Sequence, residues 1–369
     1  MEDSRARRIA TVALLGLALA LGVSIATAAD FRLVVSQPGL KAPTSVEEGA
    51  PQAPPGDDPS PPTGPALYSF TSHTFTNCGQ TGGLGPSLEF CQAAYQADWA
   101  QDAALYSVDG GIQRWVVPES GLYRLEAAGA AAAATTNRRG AVLAGEVFLA
   151  AGTELHMAVG QIGSSNMNGG GGTFVVIDGA EPLLVAGGAG GGNSQRAEFN
   201  QNFNGRLTTS GARGEASGSL MRRGAGGENA LGGGASSSAR GGGGLLGGGV
   251  SEFIGGGESF MDGARGGAIN GVHRGGFGGG GSGSATNHGG GGGGYSGGGG
   301  GGVSGANRRG YSSGGGGSFI SDLFISAATH GGFFDATGAV HPAYTGEVGV
   351  VAPEMNAGHG YVVIERLED

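Results

Sequence analysis

Alternating apolar and polar residues mark short β-strands on both sides of a long glycine-rich stretch. In residues 122–127, Tyr123, Leu125 and Ala127 share one face, while Arg124 and Glu126 occupy the other. Leu155, Met157 and Val159 alternate with His156 and Ala158 in the same way, and Val362 and Ile364 lie opposite Tyr361 and Val363. A period of two is that of a half-buried strand. Strands are predicted over 68–75, 114–117, 122–127, 142–149, 155–159, 318–325, 346–351 and 360–365, and over the continuous apolar pieces 174–177 and 183–186. Residues 174–177 and 183–186 form one predicted hairpin across the turn-like segment Asp178-Gly179-Ala180-Glu181-Pro182. The one predicted helix covers 92–104.

The C-terminal strands must pair with earlier ones for such a chain to close, so the expected fold is mainly β, a two-sheet β-sandwich of jelly-roll type. Glycine then changes the picture, because it supplies 85 of the 369 residues and concentrates between Gly163 and Gly317. Residues 288–302, HGGGGGGYSGGGGGG, offer almost no side chain for a core. Ordering glycine also costs more backbone entropy than ordering any other residue. Two readings follow. The stretch is a flexible Gly/Ser-type linker, or its bare backbones pack side by side as extended left-handed helices. Such helices have three residues per turn and turn every N–H and C=O outward to a neighbour. The strict G-X-Y period of collagen is missing, and no proline occurs between Leu183 and His341.

At the N-terminus Arg5, Arg7 and Arg8 precede a charge-free run over residues 9–29. The run is long enough to span a bilayer, yet Ala26-Thr27-Ala28 supplies the small-residue pattern of a cleavage site. Residues 1–29 are therefore a signal peptide or an N-terminal signal anchor, and the positive flank directs the remainder outside the cell. Residues 30–66 form a Pro-rich acidic linker, with nine of the fourteen prolines between Ser36 and Pro65. One domain covers 67–366, with a glycine-rich insert at about 187–317. In an oxidising compartment Cys78 and Cys91, with twelve residues between them, form a structural disulfide or stay as two buried thiols. A net charge of −10 and a single lysine, Lys41, argue against nucleic acid or an anionic membrane as partner. Membrane contact is expected only through the N-terminal segment.

Low-complexity sequence generates motifs by composition. Gly294-Tyr295-Ser296-Gly297-Gly298 and Gly310-Tyr311-Ser312-Ser313-Gly314 satisfy G-x-S-x-G, but neither has the strand before and helix after that a nucleophile elbow needs. The G-x-G-x-x-G matches lack a surrounding βαβ unit, and a P-loop lysine does not exist here. His73, His156, His273, His288, His330, His341 and His359 show no metal-ligand spacing and are expected on the surface or in loops. The Arg-Gly-Gly triplets at Arg240, Arg265 and Arg274 are expected to border the glycine region, and Tyr295, Tyr311 and Phe277 to plug its edges. No residue is assigned to catalysis, to a cofactor or to a metal.

Phe75-Thr76-Asn77-Cys78-Gly79, with Gly82, Gly85-Pro86 and Cys91, resembles the cysteine-bracketed opening of the glycine-rich ectodomain region of the anaplastic lymphoma kinase and leukocyte tyrosine kinase receptors. Trp115-Val116-Val117-Pro118-Glu119-Ser120-Gly121-Leu122-Tyr123 is similar to that region's W-x-V-P-x-x-G-x-Y segment, and Ala127-Ala128-Gly129-Ala130 to its small-residue turn. LHMAVGQIG (155–163), GGGGTFV (169–175), LLVAGG (183–188) and the glycine run 275–298 follow in the family's order, so the resemblance covers about residues 67–366. It implies a tumour-necrosis-factor-like jelly-roll β-sandwich with an inserted polyglycine-helix bundle, acting as one rigid unit that helps bind small helical cytokines. It carries neither the kinase domain nor any motif that places ligand-contact residues, so the ligand-binding residues stay unassigned.

The expected function is that of a non-enzymatic extracellular binding module, secreted or held by an N-terminal anchor, that recognises a protein or glycan ligand. The alternative is a structural cell-wall, matrix or adhesin component that self-associates through its glycine-rich faces.

Overall fold

The computed structural model describes residues 65–132, 137–192, 201–215, 223–236, 239–250, 255–284, 288–302, 311–331 and 355–368. The leader 1–29, nearly all of the linker 30–66 and the predicted strand 346–351 lie outside the described residues. Among the described residues no helix is long and apolar enough to cross a membrane.

Five strands lie close to their predicted ranges: β4 (Gly121–Ala128), β5 (Val142–Leu149), β6 (Glu154–Ala158), β7 (Thr173–Ile177) and β8 (Glu181–Ala186). Before them come β1 (Ser72–Phe75), α1 (Leu88–Tyr95), α2 (Asp98–Gln101), β2 (Tyr106–Asp109) and β3 (Ile112–Val116). After them come β9 (Ala268–Ile269), β10 (Val272–His273), β11 (Phe319–Ile320), β12 (Phe324–Gly331) and β13 (Tyr361–Arg366). Three expectations are corrected. The predicted helix 92–104 is two short helices, because Gln96 turns left-handed at φ 50° and Ala97 is extended. The predicted strand 318–325 is two strands in different sheets, because the chain turns at Ser321, whose carbonyl accepts the Phe324 N–H. The first strand is only four residues long, and its partner Glu365 sits opposite Ser72.

Two antiparallel sheets result, one ordered β1-β13-β4-β5-β12 and the other β11-β8-β7-β6-β3-β2. Tyr123, Leu125, Leu143, Val147, Val362 and Ile364 of the first face Trp115, Leu155, Met157, Val175 and Leu184 of the second in one buried core. The chain is thus mainly β with sandwich-like packing. The six-stranded sheet is apolar on both faces, which explains why β7 reads as a continuous run, Thr173–Ile177, without polar alternation. Its second face, through Ala158, Phe174, Val176 and Val185, packs on Ala230, Leu245, Phe260, Ala264 and Phe277 of the glycine-rich region. Phe174 meets Phe260 at 5.3 Å between ring centroids, and Tyr295 stacks on Phe319 at 4.7 Å. The region departs after β8 and returns at β11, and Phe319 of β11 pairs with Val185 of β8. Neighbouring strands of one sheet therefore hold both of its ends.

Within that region backbone hydrogen bonds follow a period of three. Gly289, Gly292 and Tyr295 donate to Tyr311, Gly314 and Gly317; Gly290 and Gly293 donate to Met167 and Gly170; Gly291 and Gly294 donate to Arg240 and Gly243. The same run accepts from Gly191 and Gly188, from Gly301 and Gly298, and from Gly281. One segment thus exchanges bonds with six others, and buried backbone groups find partners without a conventional sheet. Glycine is required by contact here: a Cβ on Gly291 would overlap the Gly298 carbonyl oxygen, and one on Gly293 the Gly278 carbonyl oxygen. The fully buried Arg138 is the exception in chemistry. Its guanidinium donates to the Gly190 and Gly191 carbonyls at 3.1 Å and to the Ser312 hydroxyl at 2.7 Å, and lies 4.6 Å over the Phe203 ring. Burial pushes its pKa down to about 10, opposed by the carboxylate of Glu215.

Overpacking a filled interior typically costs about 1–3 kcal/mol or more. Gly291→Ala and Gly293→Ala are each expected to destabilise the protein by at least that amount in urea unfolding. Gly121→Ala, whose Cβ would come no nearer than 3.6 Å to the Arg366 side chain, should change stability by less than about 0.5 kcal/mol. Equal midpoints for all three variants would contradict packing-imposed glycine.

Candidate functional site

Cys78 and Cys91 are joined in a disulfide, with Cα atoms 4.9 Å apart. Closing a loop of this length stabilises a fold by roughly 3 kcal/mol. The loop leaves Cys78 in a left-handed conformation at φ 50°, continues through Gly79 at φ 75°, and ends in α1, where the Ser87 hydroxyl accepts the Phe90 N–H. It rests on an aromatic base. His73, Phe75, Tyr95, Trp99, Tyr106 and Trp115 pack mostly edge to face, with centroids 4.4–6.5 Å apart. The buried Gln113 fixes the polar groups of that base: its Oε1 accepts the Tyr95 and Tyr106 hydroxyls at 2.6 and 2.8 Å, and its Nε2 donates to the Thr76 carbonyl at 2.8 Å. Burial raises both tyrosine pKa values.

The loop is also tied to the glycine-rich region, because the Gly82 carbonyl accepts the Phe277 N–H at 2.7 Å and the Gly83 carbonyl the Gly266 N–H at 2.9 Å. Beside this junction lies a cleft of about 700 Å³, within the range of ligand sites. Four pieces of chain wall it: Gln80–Leu84 of the disulfide loop, Ile162–Ser164, Gly271–His273 and His359. Asn270 and Gly271 make the two-residue turn of the β9–β10 hairpin, with φ of 52° and 77°. The Ser164 N–H donates to the Arg274 carbonyl at 2.8 Å. The Asn356 side chain donates to the Gly129 and His359 carbonyls, fixing the turn that carries His359.

The two cleft histidines are held in opposite tautomers. The Ile162 amide donates to His359 Nδ1 at 3.2 Å, so in the neutral ring the proton sits on Nε2. His273 Nδ1 lies 2.6 Å from the Gly266 carbonyl, which only accepts, so Nδ1 carries a proton and in the neutral ring Nε2 is an acceptor. Burial lowers the His359 pKa and keeps it neutral. This arrangement does not favour a metal, because His359 Nε2 could ligate only if its proton moved to Nδ1 and the Ile162 N–H bond were given up. Among the described residues no three His, Cys, Asp or Glu side chains converge as a metal site. None of the described cleft residues carries an Asp, Glu, Lys or Arg side chain. Leu84 and Val272 stand at the rim, 53% and 56% exposed.

The remaining candidates are dispersed. Ser296 and Ser312, the serines of the hydrolase-like motifs, are buried and accept bonds from the Ala230 amide and from Arg138. His156 lies beside Glu154, which also pairs with Arg114 across β3 and β6; the Arg114 hydrogen bond holds the Glu154 carboxyl down at about 2. Contrary to the surface-or-loop expectation, His288 is buried, with its Nδ1 2.8 Å from the Ser284 hydroxyl, and His73 is packed among rings on β1. His341 lies outside the described residues, as does the side chain of His330. Phe277 is fully buried and Tyr295 packs on Phe319, as edge-plugging requires. That His273 and His359 line one cleft is not visible in sequence; the Asn270-Gly271 hairpin signal within the glycine stretch is the available clue.

Packing against Phe75, Tyr95 and Trp99 desolvates His73 and pushes its pKa from 6.5 down to about 4. Between these values the unfolded chain binds the extra proton, so the contribution of His73 to folding stability is constant above about pH 6.5 and is lost as pH falls toward about 4. Urea midpoints should therefore drop on acidification more steeply in the native protein than in His73→Phe; parallel losses would contradict this assignment. No protein-family model matches the chain and no curated protein matches it by sequence, so any function has to be argued from the chain's own geometry.

Proposed function

We propose that this chain is a non-enzymatic recognition module that works outside the cell, built like the glycine-rich ectodomain region of the anaplastic lymphoma kinase and leukocyte tyrosine kinase receptors. In this reading the two sheets form a tumour-necrosis-factor-like jelly roll, and the glycine segments are polyglycine helices bundled against it. The observation that carries the reading is the period of three in the hydrogen bonds of residues 289–295. A helix of the polyproline type has three residues per turn and no internal bonds, so each residue of a turn addresses a different neighbour. A platform of this kind loses little entropy on association. The Cys78–Cys91 bridge suits an oxidising compartment. The cleft at the junction of sandwich and glycine region is the site we assign to the protein or glycan partner.

A structural role is the second reading, and one observation favours it. Leu231, Leu246 and Met261, fifteen residues apart in sequence, are all exposed on neighbouring loops, where Leu246 N–H donates to the Ala230 carbonyl and Met261 N–H to the Leu245 carbonyl. Such a strip suits contact between copies. Sedimentation velocity from micromolar to near-millimolar concentration separates the two. A recognition module is expected to remain monomeric throughout. Concentration-dependent assembly that Leu231→Ser and Leu246→Ser abolish would overturn it in favour of the structural role.

A further inference from the structure

We infer that the cleft takes an uncharged segment of extended polypeptide, which adds as a third strand along β10 and is read by His273 and His359. This inference rests on the recognition reading above and names the chemistry of the partner.

Four features of the cleft carry it. The first is an open strand edge. The two-residue turn at Asn270-Gly271 makes Val272 and Ile269 the hydrogen-bonded closing pair, so the next pair, His273 and Ala268, points its N–H and C=O groups away from the ribbon. Among the described residues β10 has no strand partner except β9. It is β10, through Gly271, Val272 and His273, that lines the cleft. An unpaired edge facing a cavity is the geometry of strand addition, in which main-chain bonds supply affinity and adjacent pockets supply specificity.

The second feature is the fixed polarity of the two rings. His273 offers an acceptor at Nε2 and His359 a donor at Nε2–H, each locked by a backbone contact behind it. A peptide group carries one donor and one acceptor and complements such a pair. The third is charge: in a chain of net charge −10, the described lining has no Asp, Glu, Lys or Arg side chain, so a charged ligand would be desolvated there without a carboxylate, ammonium or guanidinium partner. The fourth is the rim, where Leu84 and Val272 are more than half exposed and placed to cover apolar side chains of an incoming strand. No Phe, Tyr or Trp is among the lining residues to stack on a sugar ring, which favours a peptide over a glycan. The Ser164 amide, bonded to the Arg274 carbonyl, closes the groove at one end and sets a short length for the guest.

The test uses the full chain, isotope-labelled, titrated with blocked pentapeptides of alternating threonine and valine. Parallel titrations use the same peptide with lysine or glutamate replacing threonine, single-ester analogues that each delete one backbone N–H, and a neutral oligosaccharide of similar length. The expected result is a saturable shift confined to the amides of Gly271–His273 and Ile162–Ser164. The ring nitrogens should report His273 as the Nδ1–H tautomer and His359 as the Nε2–H tautomer. One ester position should weaken binding about tenfold, the loss of one hydrogen bond. Leu84→Ser and Val272→Ser, at exposed positions that do not endanger folding, should each weaken it as well. No saturable shift at millimolar peptide, equal binding of the charged peptides, or the same shifts from the oligosaccharide would overturn the inference. A monomeric protein that ignores all the peptides defeats this inference alone. An assembling protein defeats the recognition reading, whatever the peptide titration gives.

Discussion

Carbonyl oxygens of one glycine segment lie where the Cβ of another would have to be, and the rest of the architecture depends on that close approach. At Gly291, Gly293, Gly297 and Gly316 the obstructing atom is in each case a backbone oxygen. Backbone atoms cannot change rotamer to make room. The glycine-rich region therefore coheres through hydrogen bonds and backbone contact where other domains use side chains. Its apolar residues are few and work at the boundary: Leu245, Phe260 and Phe277 seal it onto the six-stranded sheet.

That sheet has to be apolar on both faces, since one side completes the sandwich core and the other supports the glycine region. The disulfide loop bonds to the glycine region at Phe277 and Gly266, the turn before β13 bonds to the segment carrying Ile162, and the cleft lies between these backbones. The lack of Asp, Glu, Lys and Arg side chains among its described residues follows from this origin. Turns and hairpin ends contribute backbone groups and two imidazoles but none of those four side chains, so the site is suited to reading hydrogen-bond patterns more than charge.

Much of the sandwich was legible because alternation is strong in β4, β6 and β13, and the apolar run of β5 coincides with its predicted range 142–149. The disulfide was legible from two cysteines, with twelve residues between them, behind an N-terminal segment expected to direct export. Alternation fails where a strand is short or buried on both sides: β2 escaped notice, although Asp109-Gly110-Gly111 marks its turn into β3. The split between β11 and β12 depends on one turn at Ser321 and leaves no trace in hydrophobic period. The cleft was the least legible feature. His359 and Ile162 are far apart in sequence and meet only through the fold, and a histidine tautomer is set by a backbone partner that no motif encodes.

Native-state amide hydrogen exchange across residues 289–302 tests the central claim most directly. If these backbones are mutually hydrogen-bonded in a packed block, their amides should exchange only through large-scale unfolding, with protection comparable to that of β4 and β5. Exchange at random-coil rates, with β4 and β5 still protected, would contradict it and leave the glycine region as a flexible insert on an independent sandwich.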